Sequence, residues 1–138
     1  MTNATILQDF MQKVWNEQDF SAIPTFLAPA YTIHLDHTDP WEGKTLTHEE
    51  FRVRLGHSFG PFPDMHFAIK STIADGDSVA ITWVMTGTNL GNIGDIPATN
   101  RSIEAEGMTI YYFKEAKICG HSQVFDHSTI IRQLGFGG

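Results

Sequence analysis

Apolar residues in the first twenty positions recur at helical spacing. Ile6, Phe10 and Val14 lie four apart, with Leu7, Met11 and Trp15 beside them. That stripe predicts an amphipathic helix, which Thr2, Asn3 or Thr5 can cap. "SAIPTFL" follows as a short helix capped by Ser21, with Pro24 in the first turn, where proline is tolerated. "YTIHLD" predicts a strand. In "THEEF", Thr47 and Glu50 stand three apart as a capping box, opening a helix with Phe51, Leu55 and Phe59 on one stripe. "GPFPD" ends it.

The period then changes from helical to alternating. "MHFAIKSTIA" and "SVAITWVMTGT" predict strands joined by the turn signal "DGD", followed by the loop "NLGNIGDIPATNRS". "IEAEGMTIYYF" and "ICGHSQVF" predict two more strands across the short link "KEAK". Asp126 stands where a cap belongs for a last helix, "HSTIIRQLG". Helices come first and strands dominate afterwards, which predicts an α+β fold with a mainly antiparallel sheet. At 138 residues, one domain spanning 1–138 is expected.

Charge narrows the partners. The formal charge is −7 and the nine Lys and Arg residues are scattered, which argues against nucleic acid or an anionic membrane. A single cysteine, Cys119, allows no internal disulfide and suits a reducing compartment. No signal-peptide pattern opens the chain, and its apolar runs fall far short of the ~20 residues that span a bilayer. A cytoplasmic location is the expectation.

The order and spacing of "VWNEQDFSAIPTFLAPAYTIH", "FPDMHF", "IADGDSVAITWVMTGT", "IPATNRSIEAEGMTIYYF" and "HSQVFDHSTIIRQLG" resemble the SnoaL-like polyketide cyclase family, within the nuclear transport factor 2-like superfamily. The resemblance covers nearly the whole chain. It implies a cone: a curved sheet wrapped on the N-terminal helices, with a pocket inside. It also implies a homodimer packed sheet to sheet. The outer stripe would carry Met108, Ile110, Tyr112 and Val124, with Ala80, Thr82 and Val84 alongside.

Strand alternation then sorts the side chains. His121, Gln123 and Phe125 share one face of the last strand, and Gly107, Thr109 and Tyr111 one face of its neighbour. The resemblance places both sets inside, and His34 with Asp36 would point the same way. Trp41, Phe51, Leu55, Phe59, Trp83 and Met85 would supply apolar wall. A mostly apolar cavity with a few convergent polar groups suits a small molecule.

In the cyclases this chain resembles, an aspartate is the acid/base for an intramolecular aldol closure, with a histidine two residues earlier. Setting "HSQVFD" against the family's "HWDVFD" puts that histidine at His121 and Gln123 at the aspartate. An amide cannot accept a proton at neutral pH, and a general base typically contributes ~10²–10⁴-fold. His121 is therefore either the remaining acid/base, assisted by Gln123, His34 and Asp36, or a structural histidine. Asp36 either orients the His34 imidazole, becomes a raised-pKa base itself if desolvated, or is a solvated strand end. Two function classes stay open: a cofactor-independent enzyme acting beside the carbonyl of a small apolar compound, giving cyclisation or isomerisation, or a non-catalytic binder of such a ligand. Epoxide hydrolysis ranks last, because none of Arg52, Arg54, Arg101 and Arg132 reads as a cavity residue. No metal site is expected, since His34 and His37 fall on opposite faces of a continued strand.

Overall fold

The computed structural model describes residues 1–136. Its first helix, α1 (Asn3–Phe10), starts at Thr2, whose hydroxyl accepts the amide N–H of Thr5. It runs on into a widened π-type turn at Met11–Asn16, where the Glu17 amide reaches back five residues to the Gln12 carbonyl. Leu7, Phe10, Met11, Val14 and Trp15 form the buried stripe expected from their spacing. A short turn, Phe20–Ala22, leads into α2 (Ile23–Phe26), with Pro24 at its start.

β1 (Leu27–Asp36) begins four residues ahead of the expected strand, taking up the end of "SAIPTFL". β2 (Thr45–Leu46) precedes α3 (His48–Phe59). At the start of α3 the capping box is complete: the Thr47 hydroxyl accepts from the Glu50 N–H, and the Glu50 carboxylate accepts from the Thr47 N–H. These bonds pull the Glu50 carboxyl below its usual pKa. β3 (His66–Asp75), β4 (Ser78–Thr88), β5 (Ser102–Lys114) and β6 (Lys117–Phe125) follow, and α4 (His127–Gln133) closes the described chain. Asp126 caps α4, its carboxylate accepting the Thr129 N–H at 3.0 Å.

The strands form one sheet in the order β2-β1-β6-β5-β4-β3. Only β1 against β6 is parallel, and the other pairs are antiparallel. The architecture is the expected α+β fold. Alternation along β5 is strict, so Ile103, Ala105, Thr109, Tyr111 and Phe113 are buried while Met108 and Ile110 are exposed.

β1 breaks the alternation. Ile33 lies opposite His121 and Leu35 opposite Ser122, so one extra residue, His34, is inserted there. A β-bulge of this kind reverses facing beyond it. Tyr31 and Ile33 point inward before it, and Asp36 points inward after it. His34 is exposed and lies edge-on to Tyr112, an outer-face residue, with ring centroids 5.2 Å apart. The expectation that His34 and Asp36 share an inner face is corrected: the bulge separates them, and His34 leaves the candidate site.

Candidate active site

Between the helices and the inner face of the sheet lies a cavity of about 280 Å³. Phe51 of α3, Trp83 and Met85 of β4, Tyr111 of β5 and Phe125 of β6 line it as expected, joined by Trp15, Phe62, Met65 and Phe67. Gly107 makes room for Trp83, since any side chain there would run into the indole ring. Exposed Thr38, Pro40 and His57 mark the mouth.

Four residues expected on the wall are elsewhere. Leu55 is fully buried in the core, and Phe59 packs between Trp15 and Phe20. Trp41 lies edge-on to His57. Thr109 sits behind the wall as a relay: its hydroxyl accepts from the Trp83 indole N–H at 2.9 Å and donates to the Gln123 carbonyl at 2.8 Å. Helical and strand periodicity distinguish inside from outside, but not a core position from a cavity position.

The polar end of the cavity is a buried cluster. Asp36 is 2% exposed, so the reading of it as a solvated strand end is corrected. Its Oδ2 accepts from His121 Nε2 at 2.8 Å and from Arg54 Nη2 at 3.1 Å. Its Oδ1 has one long contact, to the Gln123 amide nitrogen at 3.4 Å. Arg54 also donates from Nε to Asp39 Oδ2 at 3.0 Å, and its Nη2 lies 2.9 Å from the same oxygen. Asp39 is held in turn by the Trp41 amide on its other oxygen. The exclusion of Arg54 from the cavity is therefore also corrected. On the α3 wheel Arg54 follows Phe51 by three and precedes Ser58 by four, which places it at the edge of the buried arc. That signal is in the sequence.

Hydrogen bonding fixes the protons. A carboxylate only accepts, so His121 Nε2 carries the hydrogen facing Asp36. Nδ1 then accepts from the Tyr31 hydroxyl, 2.5 Å away. Burial pushes the His121 pKa down, the bond to Asp36 raises it in part, and nearby Arg54 lowers it further, with a net fall below the usual value. The imidazole is therefore neutral at neutral pH. Burial raises both Tyr31 and Tyr111 well above the ordinary phenol value, so both keep their protons. Burial opposes the charge on Arg54, but the carboxylates of Asp39 and Asp36 more than offset it and hold the guanidinium ionised. The cluster carries two carboxylates and one cation. Among the described residues, no group of three or more His, Cys, Asp and Glu side chains is placed to hold a metal ion.

Gln123 stands beside Asp36 as its partner across β1 and β6. Gln123→Asp would put a second carboxylate in this wall. Desolvation and the Asp36 charge both raise its folded-state pKa above the reference of ~3.9. The unfolded chain then ionises first, so the variant matches the parent near pH 4 and loses stability as pH climbs, levelling off above the folded pKa. Every tenfold weakening of the folded-state acid costs about 1.4 kcal/mol at the plateau. Thermal melts across pH 4–8 read this as a widening gap, whereas a flat gap means that position 123 is solvated.

The fold and the site define an α+β protein whose sheet and helices enclose an aromatic cavity with a buried Asp–His–Arg cluster in its wall. The chain belongs to the SnoaL-like polyketide cyclase family, whose sequence profile it matches over residues 5–134. It is similar in structure to a candidate polyketide cyclase from Acidithiobacillus ferrooxidans, at 36% identity and TM-score 0.90, covering 96% of this chain and 94% of that one. It shares its fold with IdmH, a candidate polyketide cyclase from Streptomyces antibioticus, at 23% identity and TM-score 0.85, covering 98% and 99%. It likewise shares its fold with AclR, a candidate hydroxylase from Streptomyces galilaeus, at 20% identity and TM-score 0.79, covering 96% and 80%. No curated protein matches the chain at a significant level. Family membership supports a cyclase-like role in general terms. No helix of the described residues is long and apolar enough to cross a membrane.

Proposed function

We propose that this protein is a cofactor-independent acid/base enzyme that removes a proton beside the carbonyl of a small, mostly apolar compound, leading to cyclisation or isomerisation. The observation that carries this reading is the buried Asp36 carboxylate in the cavity wall: His121 and Arg54 both hold Oδ2, while Oδ1 has only the long contact to the Gln123 amide that it shares with Oδ2. Oδ1 is the atom with a lone pair to spare for a substrate proton. His121 keeps its place in the site, but its role changes. With Nε2 on Asp36 and Nδ1 on Tyr31, both ring nitrogens are engaged. It orients the carboxylate, and its N–H stabilises the charge.

Gln123 fits this arrangement. It occupies the position where the resemblance places the family's aspartate, and Asp36 is its partner on the adjacent strand. The acid/base group has in effect moved one strand across. A carboxylate at both positions would set like charges side by side. Gln123 instead offers an amide N–H to Asp36 and takes its orientation from Thr109.

The test is a panel of small ketones and β-dicarbonyl compounds incubated with the protein in deuterium oxide. The expected result is exchange of hydrogens beside the carbonyl above the buffer rate for compounds that fit the cavity. Ligands that bind without any exchange would identify a binding protein instead.

The outer face supports a second copy of the chain as partner. Ile73 (70% exposed), Met108 (57%), Val124 (52%) and Ile110 (41%) leave an apolar stripe on the sheet, which on a lone chain favours association. A two-fold dimer burying ~1,200–2,000 Å² would cover it. Light scattering should give twice the chain mass at micromolar concentration, and Met108→Lys should return the monomer mass. A monomer in the parent protein would overturn this arrangement.

A further inference from the structure

The guanidinium of Arg54 is only partly used. Nε and Nη2 serve Asp39 and Asp36, while Nη1 has no hydrogen-bond partner among the described residues. Nor is it sealed away. The one side-chain nitrogen or oxygen among the described residues that is both sealed and unpartnered is the Trp15 indole nitrogen. Arg54 lines the cavity with 6% of its side chain exposed, so the accessible Nη1 presents a cationic donor to a ligand beside Asp36.

The surrounding charges decide what that donor can hold. Tyr31 and Asp36 on β1, Asp39 in the following loop, Tyr111 on β5 and His121 on β6 face it, with His57 and His127 elsewhere on the cavity lining. Both tyrosines are protonated, His121 is neutral, and Asp36 and Asp39 against Arg54 sum to one negative charge. A ligand that arrives as an anion meets that net charge and is disfavoured. An uncharged carbonyl compound does not. When its C–H bond breaks, the proton goes to Asp36 and the electron pair moves onto the carbonyl oxygen, so the cluster loses a negative charge as the ligand gains one. Total charge is conserved within the cavity.

Resting on the acid/base reading above, we propose that Arg54 Nη1 is the donor that receives the developing enolate oxygen, and that the site accepts an anion only together with a proton. The substrate class is then an uncharged, enolisable carbonyl compound rather than a keto acid. Donors placed where charge develops, in a water-poor site, are worth far more than in water.

A phenolate is a stable planar stand-in for an enolate, so the probe is 4-nitrophenol, with its methyl ether 4-nitroanisole as a neutral ligand of similar shape. At a pH where free 4-nitrophenol is ionised, the bound probe should keep the phenolate absorption band. Its apparent Kd should rise about tenfold per pH unit, as uptake of one proton per ligand requires. In Arg54→Lys, the compact ammonium is occupied by the two carboxylates, and the bound probe should lose the phenolate band while 4-nitroanisole still binds. Loss of the band in the parent protein, a Kd independent of pH, or an unchanged band in Arg54→Lys would each overturn the Arg54 assignment. Failure of 4-nitroanisole to bind the parent protein would instead remove the apolar cavity on which the acid/base reading rests.

Discussion

Arg54→Met should lower the unfolding free energy by about 3–5 kcal/mol, the range for removing one partner of a buried ion pair. The magnitude follows from what is left behind. Asp36 and Asp39 would face one another across a low-dielectric wall without the cation that separates them. Methionine replaces much of the lost packing, including the contact over the Phe51 ring, so the deficit is electrostatic rather than a cavity effect. The loss should therefore shrink in acid, where carboxylates can take up protons, and be largest at neutral pH. Urea denaturation at two pH values checks both parts. A loss below about 1 kcal/mol would place Arg54 with ordinary surface pairs.

The fold was legible because several independent signals agreed. The Thr47–Glu50 box and the Asp126 cap mark helix starts through local hydrogen bonds that need no tertiary context. β5 and β6 show their inner faces because one side is buried and the other is not. The site was legible on β6, where His121, Gln123 and Phe125 all line the cavity. It failed on β1 because of a single inserted residue. Alternation across "YTIHLD" can put either Tyr31 and Ile33 inside or His34 and Asp36 inside, never Tyr31, Ile33 and Asp36 together. The bulge at His34 permits that combination, and nothing in the six letters announces it. Tyr31 was missed for the same reason, although it locks the tautomer of His121.

Arg54 was missed for a different reason. An arginine among "FRVRLGHSF" reads as solvated because burying a lone cation is prohibitively costly. Its compensation comes from Asp39 and Asp36, fifteen and eighteen residues earlier in the chain. Pairing of that kind depends on how β1 and the loop after it pack against α3. The helical wheel puts Arg54 at the edge of the buried arc, but it carries no information about which carboxylates would pair with it.

Asp36→Asn should reduce hydrogen exchange in a responsive carbonyl compound by ~10²–10⁴-fold, the usual contribution of a general base. The substitution keeps the shape, and Arg54 retains Asp39 as its partner, so the fold should survive where Arg54→Met strains it. A stronger test puts the carboxylate back one strand over. Gln123 lies opposite Asp36 in the β1–β6 register, and the Thr109 hydroxyl already points at its side chain. In Asp36→Asn with Gln123→Asp, the charge of the wall is that of the parent, and the like-charge contact of the single Gln123→Asp variant is absent. The amide introduced at position 36 can also donate to the new carboxylate. Such a double variant should recover at least ~10-fold of the lost exchange, because a base needs only hydrogen-bond reach of the proton it removes. It should also lose the part of the pH-dependent instability of Gln123→Asp that comes from the Asp36 charge, so that only the smaller part due to desolvation stays. If Asp36→Asn exchanges within a few-fold of the parent, the proton goes elsewhere, and Asp36 serves only to balance Arg54.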